Sequence, residues 1–219
     1  MSDLLKLENL TFTFNEETIL DIERIIFPAE KITAVTGANG SGKTTLLRVI
    51  AGLITPQTGR IYYKSRSVSG RARDFLKKQC VLVHQKPYLF SGTVRKNIKM
   101  GMYASGITSK EAEDKTDQLL EKFTLSGLGS KKVSCLSGGE RQKVALARAA
   151  GLRRPVLLLD EPEVHIDNES REAIEYILKQ LAEEGKHIIF TTHDNEFARR
   201  LSGQIIRLHS GKIEGVEST

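Results

Sequence analysis

Apolar and polar positions alternate at the start of the chain. Leu5 and Leu7, then Leu10, Phe12 and Phe14, carry the apolar phase, and the phase slips once near Glu8–Asn9. A period of two with one slip predicts half-exposed antiparallel strands interrupted by a bulge. Further along, alternation gives way to compact apolar runs: ITAVTG (32–37), VLVHQ (81–85), VLLLD (156–160) and HIIFTT (187–192). Such runs are the mark of strands covered on both faces. Helical spacing separates several of them. Ile174, Ile177, Leu178 and Leu181 fall on one helix face, and Gly185 is placed to stop that helix. Thr108-Ser-Lys-Glu111 predicts a capping box opening a helix through Phe123, with Ala112, Leu119, Leu120 and Phe123 turned inward. From about 92 to 150 no strand pattern occurs. The expected architecture is α/β. A mostly parallel core with an N-terminal antiparallel β subdomain spans about 1–85 and 154–219, and an α-helical subdomain is inserted at 86–153.

Composition narrows the class. With 219 residues, 39% hydrophobic and 27% charged, the chain suits one soluble globular domain carrying an inserted lobe. No apolar stretch approaches the roughly 20 residues a membrane helix needs. The start, MSDLLKLENL, lacks the basic and then apolar regions of a signal peptide. Cys80 and Cys135 are too few for a disulfide framework or a cysteine-built metal site, so a reducing cytosol is expected. The net charge of +6 is concentrated: Lys64, Arg66, Arg71, Arg73, Lys77 and Lys78 face only Asp74. We read that segment as a solvated loop running into a short helix, with no nucleic-acid partner expected.

Candidate chemistry begins at Gly37-Ala38-Asn39-Gly40-Ser41-Gly42-Lys43-Thr44, which follows the run ITAVT and precedes the apolar positions Leu46, Leu47 and Ile50. This is the P-loop pattern in its strand–loop–helix setting, so the core is expected to be of the P-loop NTPase type. Glycines let the backbone wrap closely, so that successive N–H groups point at phosphate oxygens, and the helix start adds its own positive end. Lys43 suits the β- and γ-phosphates and Thr44 suits Mg²⁺; Thr45 belongs to the same cradle. A flexible glycine turn is the plain alternative, but it requires neither the flanking strand nor the helix.

The run VLLLD ends in Asp160 and Glu161. Ligands in open α/β sheets bind at the carboxyl ends of strands, so both acids are expected beside the P-loop. Asp160 suits Mg²⁺, and Glu161 is placed to accept a proton from an attacking water. No Asn-Lys-x-Asp guanine-reading sequence is present. Leu136-Ser137-Gly138-Gly139-Glu140, before a helix expected from Arg141 to about Arg153, forms a second anion nest. One ATP needs one cradle, so the second is surplus unless it serves another nucleotide.

With these motifs in order, the sequence resembles the ABC (ATP-binding cassette) ATPase family over almost its whole length. LSGGE is similar to that family's signature, usually LSGGQ. The resemblance implies that Gln85 is the Q-loop glutamine, contributing to catalysis and to the metal. It implies that His193 is the switch histidine touching the γ-phosphate, that Asp167 is the D-loop aspartate, and that Phe14 stacks on adenine. It further implies that Ser137, Gly138 and Gly139 close on ATP held by a second copy, head to tail. Plain alternatives stand beside these: Phe14 as a packed strand residue, and Asp167 as the N-cap of a 168–184 helix. His84, His165, His187 and His209 are given no role. Glu163-Val-His-Ile166 departs from the small residues the family usually carries there.

The resemblance implies an ATP-hydrolysing subunit, with ATP and Mg²⁺, working from the cytoplasmic face of the membrane beside integral permease subunits. One set of motifs and an end soon after the last strand lead us to expect a free-standing importer subunit, served by a substrate-binding protein. Val83-His-Gln-Lys-Pro-Tyr-Leu-Phe-Ser-Gly-Thr-Val94 is similar to cassettes of tungstate, molybdate or phosphate importers. The competing class is a soluble ABC ATPase acting on nucleic acid or ribosomes. A simple phosphotransferase would leave LSGGE unexplained.

Overall fold

A computed structural model describes residues 3–29, 32–68 and 72–218. The alternating start folds as a hairpin of β1 (Asp3–Phe14) and β2 (Glu17–Pro28). Asn15 and Glu16 turn it with φ of 48° and 67°, the positive pair that matches hairpin twist. The expected slip is present. Asn9 has φ 49°, and the pairing of β1 to β4 (Thr58–Tyr63) shifts between Glu8 and Thr11. A short β5 (Arg66–Ser67) completes an antiparallel sheet in the order β2-β1-β4-β5.

The compact runs form the second sheet. It contains β3 (Thr33–Thr36), β6 (Cys80–Val83), β7 (Val156–Asp160), β8 (His187–Thr192), β9 (Gln204–His209) and β10 (Lys212–Ser218). Its order is β10-β9-β3-β8-β7-β6, parallel throughout except for β10 against β9. Two-sided burial explains the apolar runs. In β7, Leu157 and Leu159 enter a core shared with the helices, while Val156 and Leu158 enter another shared with the antiparallel sheet. Helix α1 (Lys43–Ile50) is packed in that second core through Leu46, Leu47, Val49 and Ile50.

The basic segment forms the β4–β5 turn and then α2 (Ala72–Gln79). Lys64 and Ser65 turn the hairpin with positive φ. Arg71 and the Arg73 side chain lie outside the described residues. The aromatic in this segment, Phe75, meets Tyr63 edge-on at 5.4 Å between ring centroids.

Between β6 and β7 the described residues form helices joined by loops, with one isolated bridge, Thr93 to Lys132. α3 (Val94–Tyr103), α4 (Ser109–Lys122) and α5 (Gly138–Ala150) share their core with the parallel sheet. α3 and α5 cross so closely that a Cβ on Gly101 would lie 2.3 Å from the Arg148 carbonyl oxygen. α4 begins and ends where expected, with Ala112 and Leu120 buried and Phe123 buried at its C-cap; Leu119 is half-exposed. Its capping box does not form: Thr108 is the N-cap but its side chain accepts no hydrogen bond. Glu111 instead pairs with Lys115, one turn on, and with Arg153, three residues beyond α5. Helix α5 starts at Gly138 rather than Arg141 and stops at Ala150 rather than Arg153. α6 (Asn168–Glu183) and α7 (Asn195–Leu201) complete the helices, and Gly185 follows α6 with φ 88°.

Candidate active site

The turn from β3 into α1 requires Gly42, the N-cap of α1, at φ 103°, where a side chain would be strained. There the loop also runs within van der Waals distance of β2, since a Cβ would lie 2.9 Å from the Ile19 carbonyl oxygen. Lys43 begins α1, and its side chain folds back over the loop. Its Nζ donates to the carbonyl oxygens of Gly37 at 2.8 Å and Ala38 at 3.1 Å. Although 6% exposed, the ammonium is therefore satisfied. Ser41 contributes a buried hydroxyl with no partner.

The strand order then does the rest. β8 lies between β3 and β7, so the carboxyl ends of all three meet at one edge. Asp160 leaves β7 to accept from the Thr44 hydroxyl at 2.9 and 3.0 Å and from the Thr191 hydroxyl at 2.8 Å. Glu161 sits at φ 45°, with its N–H donating to both the carbonyl oxygen and Oγ1 of Thr191. That twist turns its carboxylate toward Lys43, at 3.6 Å, and toward His193 Nδ1, at 3.7 Å. Gln85, just beyond β6, donates from Nε2 to Glu161 Oε2 at 3.1 Å. Asn39, Gly40, Gly42, Lys43, Thr44, Thr45, Gln85, Asp160 and Glu161 line one cavity of about 460 Å³.

Other predicted residues do not line that cavity. Phe14 is 63% exposed at the hairpin turn, which removes the packing alternative; Ile19 of the same hairpin borders the cavity. Ser137 caps α5 in a capping box: its Oγ accepts from Glu140 N–H at 3.2 Å, and Glu140 Oε2 accepts from Ser137 N–H at 2.7 Å. The Ser137 N–H holds the Glu140 carboxyl below the usual range. Glutamate at the last signature position is thus a cap. Gly139 is pressed onto Ser170, whose Oγ would lie 2.1 Å from an added Cβ. Asp167 caps α6, accepting from Ser170 N–H at 2.8 Å. It is a cap in this chain, whatever further role it has.

Sequence reasoning passed over Ile19, Thr191, Thr192 and Glu163. The signal for the threonines was available: two hydroxyls end a buried strand just before His193. The Glu163 to Ile166 segment turns Glu163 inward, to 6% exposure, and leaves His165 exposed at φ 63°. Burial pushes the Glu163 carboxyl above its ordinary range.

A strand–glycine loop–helix cradle facing two acids across a central strand is one arrangement, and residues 23–164 match the family model described as ABC transporter. The chain belongs to the ABC transporter family. Among similar ABC proteins, the sulfate/thiosulfate import ATP-binding protein CysA of Synechococcus elongatus is 41% identical over 191 residues, 85% of this chain and 54% of that protein. The tungstate uptake system ATP-binding protein TupC of Peptoclostridium acidaminophilum is 37% identical over 206 residues, 94% of each chain. The chain thus spans about half the length of one relative and nearly all of the other. An ATP-binding cassette solved as a dimer in a post-hydrolysis state with ADP and Pi matches at TM-score 0.88 and 28% identity over 98% of both chains. No helix among the described residues is long and apolar enough to cross a membrane.

Proposed function

We propose that this chain is the ATP-binding and ATP-hydrolysing subunit of an ABC importer, and that the imported solute is an oxyanion. The observation that carries the catalytic part is the meeting of Lys43, Gln85 and His193 within 4 Å of the Glu161 carboxylate, which itself lines the glycine-loop cavity. ATP is held with its β- and γ-phosphates at the Gly37–Thr45 loop, displacing the two carbonyls that Lys43 binds, and with adenine against Phe14. Glu161 takes a proton from water as the water oxygen bonds the γ-phosphorus; the bridging bond breaks and its electron pair leaves with ADP. Gln85 and His193 hold the water and the γ-phosphate beside it.

Hydroxyl and carboxylate oxygens are the hard donors Mg²⁺ takes, and Thr44 and Asp160 already converge at 2.9 Å. These two would hold the ion, with Gln85 nearby. Bound there, Mg²⁺ would neutralise phosphate charge.

Ser137, Gly138 and Gly139 lie outside the cavity, at a helix start suited to anions. That supports a head-to-tail pair of copies, each signature segment covering the partner's γ-phosphate. Size-exclusion chromatography with light scattering tests it. ATP, but not ADP, is expected to dimerise Glu161→Gln protein, and adding Ser137→Arg is expected to leave an ATP-binding monomer. A dimer that survives Ser137→Arg, or full turnover by an ATP-independent monomer, overturns the trans site.

Residues 86–153 are read as the helical lobe of this single domain, which works on the cytoplasmic face of the membrane. An open groove of about 350 Å³ near Gln85, lined by Pro87, Tyr88, Phe90, Met100 and Leu152, supports a permease docking face there. Tyr88 at its rim is 72% exposed. The two relatives named for sulfate/thiosulfate and tungstate support the oxyanion. Reconstituted with its permease and a substrate-binding protein, the subunit is expected to turn over ATP faster with tungstate, molybdate, sulfate or phosphate. Stimulation only by a sugar, peptide or lipid overturns that substrate.

A further inference from the structure

Glu163 is a buried acid in a segment where small residues would suffice. One carboxylate oxygen accepts from the Thr192 hydroxyl; the other is buried without a partner. A carboxyl so placed stabilises nothing by burial, because desolvation is only partly offset by one hydrogen bond. Its geometry is nonetheless specific. Thr192 is the residue before His193, and its hydroxyl also accepts from the Asp194 N–H at 2.9 Å. Asp194 in turn pairs with Arg171 of α6. Both sides of His193 are therefore fastened through one hydroxyl, and that hydroxyl is fastened to a residue two beyond Glu161.

The two strand ends are thus stitched three times. Asp160 takes the Thr191 hydroxyl, the Glu161 N–H takes the Thr191 oxygens, and Glu163 takes the Thr192 hydroxyl. The first two stitches fix Glu161. The third reaches the residue next to His193, whose ring is 54% exposed and lies 3.7 Å from the Glu161 carboxylate.

We propose that Glu163 is a positioning residue that fixes His193 relative to Glu161 through Thr192. The inference rests on reading Glu161 and His193 as the pair that serves ATP hydrolysis. Removing the stitch should leave the cradle intact and loosen the pair, and a displaced group of this kind slows the chemical step by roughly ten- to a hundredfold.

Steady-state ATP turnover and fluorescent-nucleotide binding are compared for wild type, Glu163→Gln, Glu163→Leu, Thr192→Val and the Glu163→Leu/Thr192→Val double variant. Glu163→Leu is expected to lower kcat, and Thr192→Val, which also removes the acceptor of the Asp194 N–H, to lower it at least as much, with KM for ATP and nucleotide affinity held within about twofold. The double variant should be no worse than Thr192→Val alone, because the Thr192–Glu163 bond is already lost in that single variant. Glu163→Gln keeps a carbonyl oxygen for Thr192 and is expected to retain most of the wild-type kcat. Melting temperature should hold or rise in Glu163→Leu, since a poorly partnered acid is replaced by an apolar group. Wild-type kcat in Glu163→Leu, multiplicative losses in the double variant, or equal losses in the Gln and Leu variants would each overturn the assignment. If Glu163→Leu fails to fold, Thr192→Val with Glu163→Gln decides alone: loss in the first and retention in the second are required. Failure of the underlying reading would look different: Glu161→Gln or His193→Ala would itself turn over ATP at the wild-type rate.

Discussion

Glutamine at position 161 is expected to lower ATP hydrolysis by a factor on the order of 10²–10⁴, the usual worth of a positioned general base, while ATP stays bound. The geometry makes this a clean substitution. The backbone of residue 161 is held by Thr191 through its N–H, so the unusual φ does not depend on the side chain. The amide oxygen can still accept from Gln85, and shape is unchanged. What disappears is the basic oxygen and a negative charge 3.6 Å from Lys43. Phosphates no longer compete with that carboxylate for the ammonium, so nucleotide affinity should hold or tighten. Single-turnover hydrolysis with parallel nucleotide titration checks both. Asp160→Asn should instead weaken the Mg²⁺ dependence. Normal hydrolysis by Glu161→Gln, alongside a dead His193→Ala, overturns the assignment of the base.

Lys43→Ala is expected to abolish measurable turnover and weaken ATP binding by roughly ten- to 150-fold, corresponding to about 1.5–3 kcal/mol for a lost charged hydrogen bond. The fold should persist. The ammonium's partners are the Gly37 and Ala38 carbonyls of the loop and the Glu161 carboxylate, all beside the cavity rather than in the apolar core. Alanine is also a good residue for the first turn of α1. Circular dichroism should match wild type while isothermal titration shows weakened binding. Wild-type turnover by a folded Lys43→Ala protein would remove this lysine from the mechanism.

What the sequence revealed, and what it hid, follows a physical division. Patterns set by local chain geometry were legible. The apolar runs became the two-faced strands β3, β6, β7 and β8 because burial on both sides needs apolar residues at every position. The phase slip at Asn9 became a bulge, and Gly42 became the left-handed turn into α1. Choices settled by tertiary partners were not. Two segments carry the same capping-box pattern, Thr108 to Glu111 and Ser137 to Glu140, yet only the second closes. Glu111 pairs instead with Lys115 one turn on and with Arg153, and no local pattern announces the second partner, 42 residues distant. Glu163 was visible only as a departure from small residues; that it turns inward to Thr192 depends on β8 lying beside β7.

The near-contact of Gly101 with the Arg148 carbonyl has a mechanical meaning. Two helices whose backbones meet at that distance have no compressible layer of side chains between them at the crossing. A push delivered at the Tyr88–Phe90 rim would reach α3 and α5 together, like force on one end of a stiff bar. Any give would then fall where the chain leaves β6 near Gln85, whose amide donates to the Glu161 carboxylate.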